Sequence, residues 1–393
     1  MSTISKFRGL NNVVDPMRLD MSWLVRADNV DITSTDGIKA REGQTLAYAG
    51  SITGACNSID FERMYFVDGG ALKAKTSEGA VTLRTGLSTA PMYWAEINEH
   101  IYYNNGTDSG VIREDHSVID WRWTRPDAPS VTSVSGSLTP GAYQVRCVFV
   151  LADGRATGAS DAVSVSILED RALQISSIPQ LAGARTDVYI TDANSSVFSF
   201  AASTTQTALV WDAPSTSLGR PLFGEMYDPL PLGADVIQFW RARAYAAQDI
   251  GEGTSVIWAS QPMGFHLFNL AQDAIVVKGR VLMLAPLNEA LLIGTTDAIY
   301  AYDGKTLADL APYGVIPGWG WDMYMGEDEG AKQQVLMWTA RGLCRAMPFT
   351  NLTSGHVSVA PGVRAGAAVV DRNGEKKFVV ALHQGGSAFN KRN

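Results

Sequence analysis

The chain has 393 residues, of which 46% are hydrophobic and 18% charged, and its 32 Lys and Arg residues against 40 Asp and Glu residues give a formal net charge of -8. This length allows two or three domains with sizeable cores, and the acidic balance argues against a chain that grips nucleic acid by neutralising phosphates. The longest apolar stretch, residues 274–294, contains Lys278, Arg280 and Glu289, which excludes a membrane span. We therefore expect a folded, soluble protein with no membrane partner.

The three cysteines, Cys56, Cys147 and Cys344, are odd in number, far apart and without CxxC spacing. This pattern predicts neither a disulfide framework nor a zinc site, and it favours a reducing compartment. Residues 1–8 have no apolar segment of the kind that forms the centre of a signal peptide.

Residues 1–45 differ from the rest of the chain because they are polar and electrically balanced. Their charged residues are Lys6, Arg8, Arg18, Arg26, Lys39 and Arg41 on the basic side and Asp15, Asp20, Asp28, Asp31, Asp36 and Glu42 on the acidic side. A neutral segment of this kind is not a nucleic-acid-binding arm. We predict an extended amino-terminal arm, or strap, over residues 1–45.

Strand signals dominate residues 46–125 and 218–393, where short runs of β-branched and aromatic residues are closed by Gly-containing turns. Residues 64–67, 101–103 and 299–302 each lead into such a turn and are interpreted as one repeated unit. Residues 291–295 match residues 335–339 at an offset of about 44 residues, the size of one four-stranded propeller blade. The prediction is an all-β chain with a β-propeller-like domain; the alternative is that any all-β chain rich in hairpins produces such matches, and no WD or kelch signature is present.

Residues 126–217 have a different composition, which begins at the Pro-marked boundary formed by Pro126 and Pro129. About seven short alternating segments within about 85 residues are typical of an immunoglobulin or fibronectin type III-like sandwich. We interpret this module as a β-sandwich inserted between the first propeller blades, residues 46–125, and the remaining blades, residues 218–393.

No motif for catalysis or cofactor binding is present. The sequence contains no GxSxG nucleophile elbow, no HExxH pair among its five histidines and no GxxxxGK[ST] loop, and Gly251-Glu252-Gly253 lacks the third glycine of a dinucleotide site. We therefore predict no catalytic residues, no cofactor and no enzymatic activity.

Two groups of charged residues could form a functional site or could be ordinary surface residues. Glu327-Asp328-Glu329, with Asp322 nearby, offers oxygen ligands for calcium but lacks EF-hand spacing, so a solvated loop is favoured and no metal site is predicted. Five arginines suggest the arginine cluster of a propeller glycosidase, although arginines at strand ends are common; they are Arg241, Arg243, Arg341, Arg345 and Arg364.

Trp121-Arg122-Trp123 suggests a stacking platform for bases or sugars. The favoured alternative is a β-strand whose two indoles share a buried face. Trp319 and Trp321 are assigned to packing between blades or to subunit contacts rather than to a ligand cage.

The arm carries a resemblance to a known family. Phe7-Arg8-Gly9-Leu10-Asn11-Asn12, then residues 24–32 with Ala27, Asn29, Val30 and Asp31, then Arg41 and Gly43 resemble the opening of tailed-phage tail nozzle or packaged-DNA stabilisation proteins. In those proteins a G-L-N-N element leads to A-x-N-V-D and then to R-x-G. Residues 137–143, 148–158, 243–247, 256–260 and 293–300 are also similar, so the resemblance spans most of the chain through motifs that are structural.

The resemblance implies a structural virion protein, located in the phage tail and assembled in the bacterial cytoplasm. It implies β-propeller subunits in a homo-oligomeric ring, usually six-fold, below the portal and adaptor rings. Such a ring retains the packaged genome, lets double-stranded DNA exit without sequence readout and connects to the tail needle or fibres. Phe7, Arg8, Leu10, Asn11 and Asn12 are the predicted assembly contacts. The alternative function is a carbohydrate-binding or glycan-cleaving β-propeller protein.

Overall fold

The computed structural model describes residues 6–33, 35, 37–43, 45–224, 227–325, 333–372 and 375–384. Within these residues the regular structure consists of strands and two single 3-10 turns, Pro16–Arg18 and Ser215–Ser217, with no α-helix. None of the described segments is a helix long and apolar enough to cross a membrane. The predicted all-β class is confirmed.

The described residues of the arm contain four very short strands. The strands are β1 (Gly9–Leu10), β2 (Trp23–Leu24), β3 (Val30–Ile32) and β4 (Ile38–Ala40). β1 pairs in parallel with β2, and β3 pairs with β4 in an antiparallel hairpin.

Two four-stranded antiparallel sheets follow the arm, and in each of them every strand is hydrogen-bonded to the next strand along the chain. Sheet I consists of β5 (Ile52–Asn57), β6 (Met64–Asp68), β7 (Ala71–Thr76) and β8 (Gly79–Arg84). Sheet II consists of β9 (Tyr93–Ile97), β10 (His100–Asn104), β11 (Ser109–Ile112) and β12 (Val118–Ile119).

A sandwich of seven strands comes next. Its strands are β13 (Ser130–Leu138), β14 (Gly141–Leu151), β15 (Val163–Ile167), β16 (Arg171–Ser176), β17 (Ala184–Thr191), β18 (Phe198–Thr204) and β19 (Leu209–Trp211). One sheet has the order β13-β16-β19 and the other β15-β14-β17-β18. Alternate residues of both sheets, such as Val145, Leu173 and Val188, form one core, so this module has the predicted two-sheet sandwich architecture.

After the sandwich, the chain forms further antiparallel sheets that resemble sheets I and II. Sheet III consists of β20 (Ala234–Trp240), β21 (Arg243–Gly251), β22 (Thr254–Gln261), β23 (Gly264–Phe268) and β24 (Ala274–Lys278), and sheet IV of β25 (Val281–Pro286), β26 (Leu291–Thr295), β27 (Ile299–Tyr302) and β28 (Leu307–Ala311). After β29 (Gly318–Trp319), sheet V consists of β30 (Trp321–Met325), β31 (Gln333–Thr339), β32 (Gly342–Ala346) and β33 (Thr350–Asn351). The hairpin of β34 (Arg364–Arg372) and β35 (Glu375–His383) joins β29 in a three-stranded sheet VI, in which β29 and β34 are parallel.

The sheets pack face to face around a centre, with their first strands innermost. β9 packs on both β5 and β20, β20 packs on β25, and β30 packs on β34. Apolar clusters fill the spaces between neighbouring sheets: one joins sheets I and II, a second joins sheets II, III and IV, and a third joins sheets IV and V. Because each sheet covers a face of its neighbour, the arrangement is β-propeller-like.

Most of the segments predicted to be repeats occupy equivalent positions in their sheets, but one does not. Residues 291–295 and 335–339 are the second strands of sheets IV and V, so this match joins equivalent positions. Residues 64–67 and 101–103 are also second strands, whereas residues 299–302 form a third strand. The interpretation of the last segment as the same unit is wrong, because a Gly-containing turn can close the second or the third strand of a sheet equally well.

Candidate functional site: the arm and the axial cavity

Asn11 is the centre of the contact between the arm and the propeller. The residue is only 3% exposed, and its side-chain oxygen accepts hydrogen bonds from the backbone N–H groups of Val13 and Val14. Its side-chain nitrogen lies 3.4 Å from Nδ1 of His356, in the segment between β33 and β34. Asn11 therefore both shapes the turn that follows it and fixes that turn against a segment 345 residues away.

Asn12 continues this contact with a reciprocal pair of hydrogen bonds. Its Nδ2 donates to the carbonyl of Ser358 at 2.9 Å, and the Ser358 N–H donates to its Oδ1 at 2.7 Å. The backbone N–H of Asn12 donates to the carbonyl of His356. The Trp23 ring stacks on the His356 ring at 5.2 Å between centroids, and the Arg8 guanidinium lies 5.4 Å from the Trp23 centroid.

Phe7 and Leu10 are half-buried beside these polar contacts, whereas Arg8 and Asn12 are exposed. All five predicted assembly residues thus lie in the segment that joins the arm to the propeller of the same chain. Asn11, Asn12 and Arg8 make the specific contacts that the structure describes, and whether any of the five contacts another subunit stays a prediction.

The hairpin of β3 and β4 makes a second contact with the propeller. Asp31 forms ion pairs with Lys377 of β35 at 3.1 Å and with Arg41 at 3.3 Å. The hydrogen bond from Lys377, followed by that from Arg41, holds the pKa of the Asp31 carboxyl below its usual range. Asn29, the residue at which this hairpin begins, has a positive φ of 56° and its carbonyl accepts from the Arg41 N–H. Asparagine tolerates this left-handed conformation better than most residues.

Five apolar side chains between residues 13 and 25 of the arm are exposed to solvent. Met17 is 92% exposed and Met21 is 65% exposed. We call these two residues, together with Val13, Val14 and Val25, the apolar face of the arm. Exposed apolar residues concentrated in one short segment are typical of an interaction surface rather than of scattered surface residues.

A cavity of about 510 Å³ opens where the innermost strands meet. We call it the axial cavity. β5, β9, β25, β29 and the start of β34 contribute its lining, which includes Thr53, Met92, Tyr93, Arg280, Leu282, Trp319 and Arg364. Gly318 belongs to the same wall: its φ is +109°, and a Cβ there would lie 2.3 Å from the carbonyl oxygen of Ala365. The parallel pairing of β29 with β34, which shapes this side of the cavity, therefore requires glycine at position 318.

Two arginines, Arg280 and Arg364, line the axial cavity. Arg280 pairs with Asp235 at 2.8 Å, and the pKa of the Asp235 carboxyl is raised because burial outweighs the favourable effect of Arg280. Among the described residues the Arg364 guanidinium has no hydrogen-bond or ion-pair partner. Burial raises the pKa of Tyr93 to about 12, so its phenol stays protonated at neutral pH.

The five arginines considered as a glycosidase cluster are not gathered in one place. Arg364 lines the axial cavity. Arg241 donates to the carbonyl of Asp303, Arg243 pairs with Asp273, Arg341 lies over the Tyr313 ring and Arg345 lies in β32. Arg280, the second arginine of the cavity, was not expected from the sequence; its place within the longest apolar stretch, residues 274–294, was the available signal.

The remaining candidates fall outside any shared site. Residues 327–329 lie outside the described residues, and the Asp322 carboxylate accepts hydrogen bonds from the backbone N–H groups of Met323 and Val369. No group of three or more potential metal ligands occurs among the residues that the structure describes.

The prediction that residues 121–123 form a strand is wrong. Trp121 is buried and donates its indole N–H to the carbonyl of Phe265, while Trp123 is partly exposed and bonds locally to Asp120. The Arg122 guanidinium donates to carbonyls of neighbouring loops, including that of Leu230, and this bonding, rather than strand pairing, fixes the segment.

No known protein family matches the sequence, and no curated protein is similar to it in sequence. Among solved structures, BBS1N, crystallised in complex with ARL6DN, is 12% identical, and the alignment covers 86% of this chain and 91% of that chain with a TM-score of 0.33. AztD from Citrobacter koseri is 11% identical, with 91% of this chain and 95% of that chain covered and a TM-score of 0.27. At these values neither similarity bears on function.

Proposed function

We propose that this chain is a non-enzymatic structural protein of a bacteriophage tail, of the nozzle or packaged-DNA stabilisation type. In this role it forms a homo-oligomeric ring, through which double-stranded DNA leaves the virion, between the head-to-tail adaptor and the tail needle or fibres. The proposal depends on one observation: the arm residues that resemble the phage family are the same residues that contact the propeller. The residues that resemble the family opening, above all Asn11, Asn12 and Asp31, are those that fix the arm to the propeller.

The apolar face of the arm supports assembly into a ring. Polar contacts hold the arm in a defined position, while Met17 and Met21 remain exposed to water. Removing apolar surface from water is worth about 25 cal/mol per Å², so burial of this face on a neighbouring subunit favours association. A ring requires a heterologous contact of this kind, in which one patch of a subunit meets a different patch of the next.

The net charge of -8 suits a channel wall, because a wall rich in unpaired Lys and Arg would bind phosphates and slow the passage of DNA.

The test uses the parent phage with the gene complemented from a plasmid. Met17→Ser together with Met21→Ser removes most of the apolar face without touching Asn11, Asn12 or Trp23. Leu168→Ser, in the sandwich, is the matched control because Leu168 is also highly exposed, at 93%. We expect the arm variant to lower the yield of DNA-filled, infectious virions at least tenfold, and the control variant to leave the yield unchanged.

A second readout separates assembly from folding. Purified wild type and both variants should unfold at the same temperature, and gold-labelled antibody against the chain should mark the tail in electron micrographs of wild-type virions. Normal virion yield with the arm variant, or an absence of label on virions, contradicts the proposal.

A further inference from the structure

We propose that the axial cavity is a binding site for a small ring-bearing monocarboxylate. This inference rests on the geometry of the cavity alone and does not depend on the proposed role in a phage tail.

The charges at the cavity favour one negative charge on the ligand. Arg280 and Asp235 form a pair that is neutral in sum, whereas Arg364 is exposed and, within the described part of the chain, carries its positive charge without a counter-ion. Of the charged residues that line the cavity, Arg364 is therefore the one whose positive charge is unpaired. A guanidinium presents two parallel N–H donors that match the two oxygens of a carboxylate. A dianion such as fully ionised phosphate would leave the site with excess negative charge.

The apolar part of the lining favours a ligand with a flat face. The rings of Tyr93 and Trp319 lie 5.1 Å apart between centroids at an interplanar angle of 38°, and Met92 and Leu282 extend the apolar wall. Aromatic and sugar rings bury their apolar faces against side chains of this kind. The volume of about 510 Å³ lies within the range of about 300–1,000 Å³ that is usual for small-molecule sites.

The hydroxyl of Thr53 provides an independent sign of a missing polar partner. This oxygen is buried and, among the described residues, has no hydrogen-bond partner. Leaving a buried hydroxyl unpaired is unfavourable, and Thr53 lines the same cavity as the two arginines. Because this oxygen is buried, a rotation of the Thr53 side chain would bring it beside a ligand oxygen while the carboxylate faces Arg364.

The experiment titrates the purified full-length protein by isothermal calorimetry and ligand-observed NMR at low salt. The probes are glucuronate and benzoate, each of which has a ring and one carboxylate. Glucuronate represents sugar acids and benzoate represents aromatic acids. Glucose and inorganic phosphate are the controls, since one lacks the charge and the other lacks the ring. We expect at least one carboxylate to bind with a Kd in the millimolar range or tighter, and both controls to bind at least tenfold more weakly.

The variants place the binding in the cavity. Arg364→Gln should weaken binding about tenfold or more, a change that corresponds to about 1.4 kcal/mol, and Thr53→Val should weaken it to a smaller extent. Arg171→Gln, which changes a partly exposed arginine of the sandwich, should have no effect. The carboxylate that binds more tightly shows whether the site prefers a sugar acid or an aromatic acid. Equal binding of phosphate or glucose, no binding of either carboxylate, or unchanged binding by Arg364→Gln overturns the inference.

Discussion

The Asp68 carboxylate accepts hydrogen bonds from three groups at the end of β6. Tyr48 donates its hydroxyl at 2.6 Å, Ser51 donates its backbone N–H at 2.9 Å and Lys73 donates its ammonium at 2.8 Å. These donors, with the Lys73 bond as the largest contribution, lower the pKa of Asp68 to about 2. Since Tyr48 lies just after the arm and Asp68 lies in sheet I, one carboxylate fixes the entry of the chain into the propeller.

Replacing Asp68 by Asn should therefore destabilise the protein in a pH-dependent way. Because the folded pKa lies below the ordinary value of 3.8, the ionised carboxylate stabilises the fold fully above pH 3.8, and this contribution disappears as the pH falls towards 2. The urea midpoint of Asp68→Asn should lie below that of wild type at pH 7, and the gap should narrow below pH 4. Asp170→Asn, at an exposed turn, should show no gap at any pH, and a gap for Asp68→Asn that is independent of pH contradicts the assignment.

A second single-residue effect concerns the turn between β20 and β21. Its two central residues, Arg241 and Ala242, have φ values of 47° and 59°, the conformation of a type I′ hairpin turn. A left-handed conformation costs an alanine about 1–2 kcal/mol, and glycine avoids that cost at the expense of about 0.5–1 kcal/mol of chain entropy.

Ala242→Gly should consequently stabilise the protein by about 0.5–1 kcal/mol, measured as a higher midpoint in urea unfolding. Ala271→Gly is the control, since Ala271 is also exposed but does not have a positive φ, and this change should be neutral or destabilising. If both variants shift the midpoint in the same direction, the turn is not strained at Ala242.

At the scale of elements, the sandwich has a core of its own. The chain segment that follows β19, the last strand of the sandwich, adds further contacts to it. The core that includes Val145, Leu173 and Val188 draws all its buried members from residues 138–190. Residues 219–222 then pair with β18, where the Leu222 N–H donates to the Phe198 carbonyl and Leu222 packs on Phe198 and Tyr189. The sandwich should therefore fold without the propeller, and residues 219–222 should add to its stability.

Two fragments test this expectation directly. Residues 126–223 expressed alone should be monomeric and should unfold cooperatively in urea, and residues 126–217, which lack the added segment, should unfold at a lower urea concentration. The loss of several backbone hydrogen bonds, each worth about 0.5–1.5 kcal/mol, sets the size of the difference. Identical midpoints would show that residues 219–222 are not part of the folding unit, and a disordered spectrum of both fragments would show that the sandwich needs the propeller.

The sequence predicts those strands and turns that are specified by residues close to one another along the chain. The second strands of sheets I, II, IV and V are indicated by alternation and turn residues within about ten positions. The segment at Trp121 was predicted wrongly because its partners, the carbonyls of Phe265 and Leu230, lie more than 100 residues away. Strand propensity carries no information about such partners.

The same reason explains why the candidate sites were only partly predictable. The arm residues Asn11 and Asn12 were singled out through a resemblance, but their partners His356 and Ser358 could not be named from the sequence. The axial cavity joins Thr53 to Arg364 across nearly the whole chain. Contacts between segments near the two ends of the chain, which no local pattern encodes, create both sites.

At the scale of the whole molecule, the distribution of charge bears on contact with DNA. The net charge is -8, and many of the described arginines are already matched by carboxylates. Such pairs are Arg63 with Glu96, Arg84 with Asp120, Arg125 with Asp161 and Asp228, and Arg280 with Asp235. A paired guanidinium must lose its carboxylate before it can neutralise a phosphate, so each pair reduces the affinity for a duplex.

The isolated subunit should therefore bind duplex DNA weakly or not at all at physiological salt. Non-specific DNA-binding proteins reach a Kd of about 10⁻⁴–10⁻⁶ M under these conditions, and we expect this chain to lie at or beyond the weak end of that range. The measurement is a fluorescence anisotropy titration of a labelled duplex at several salt concentrations. Glu96→Gln together with Asp120→Asn, which removes one carboxylate partner from each of Arg63 and Arg84, should strengthen binding at low salt and make it more salt-dependent. Submicromolar affinity of the wild type with a steep salt slope would reveal a dedicated phosphate-binding surface, and retention of DNA would then be a property of the single subunit rather than of an assembled ring.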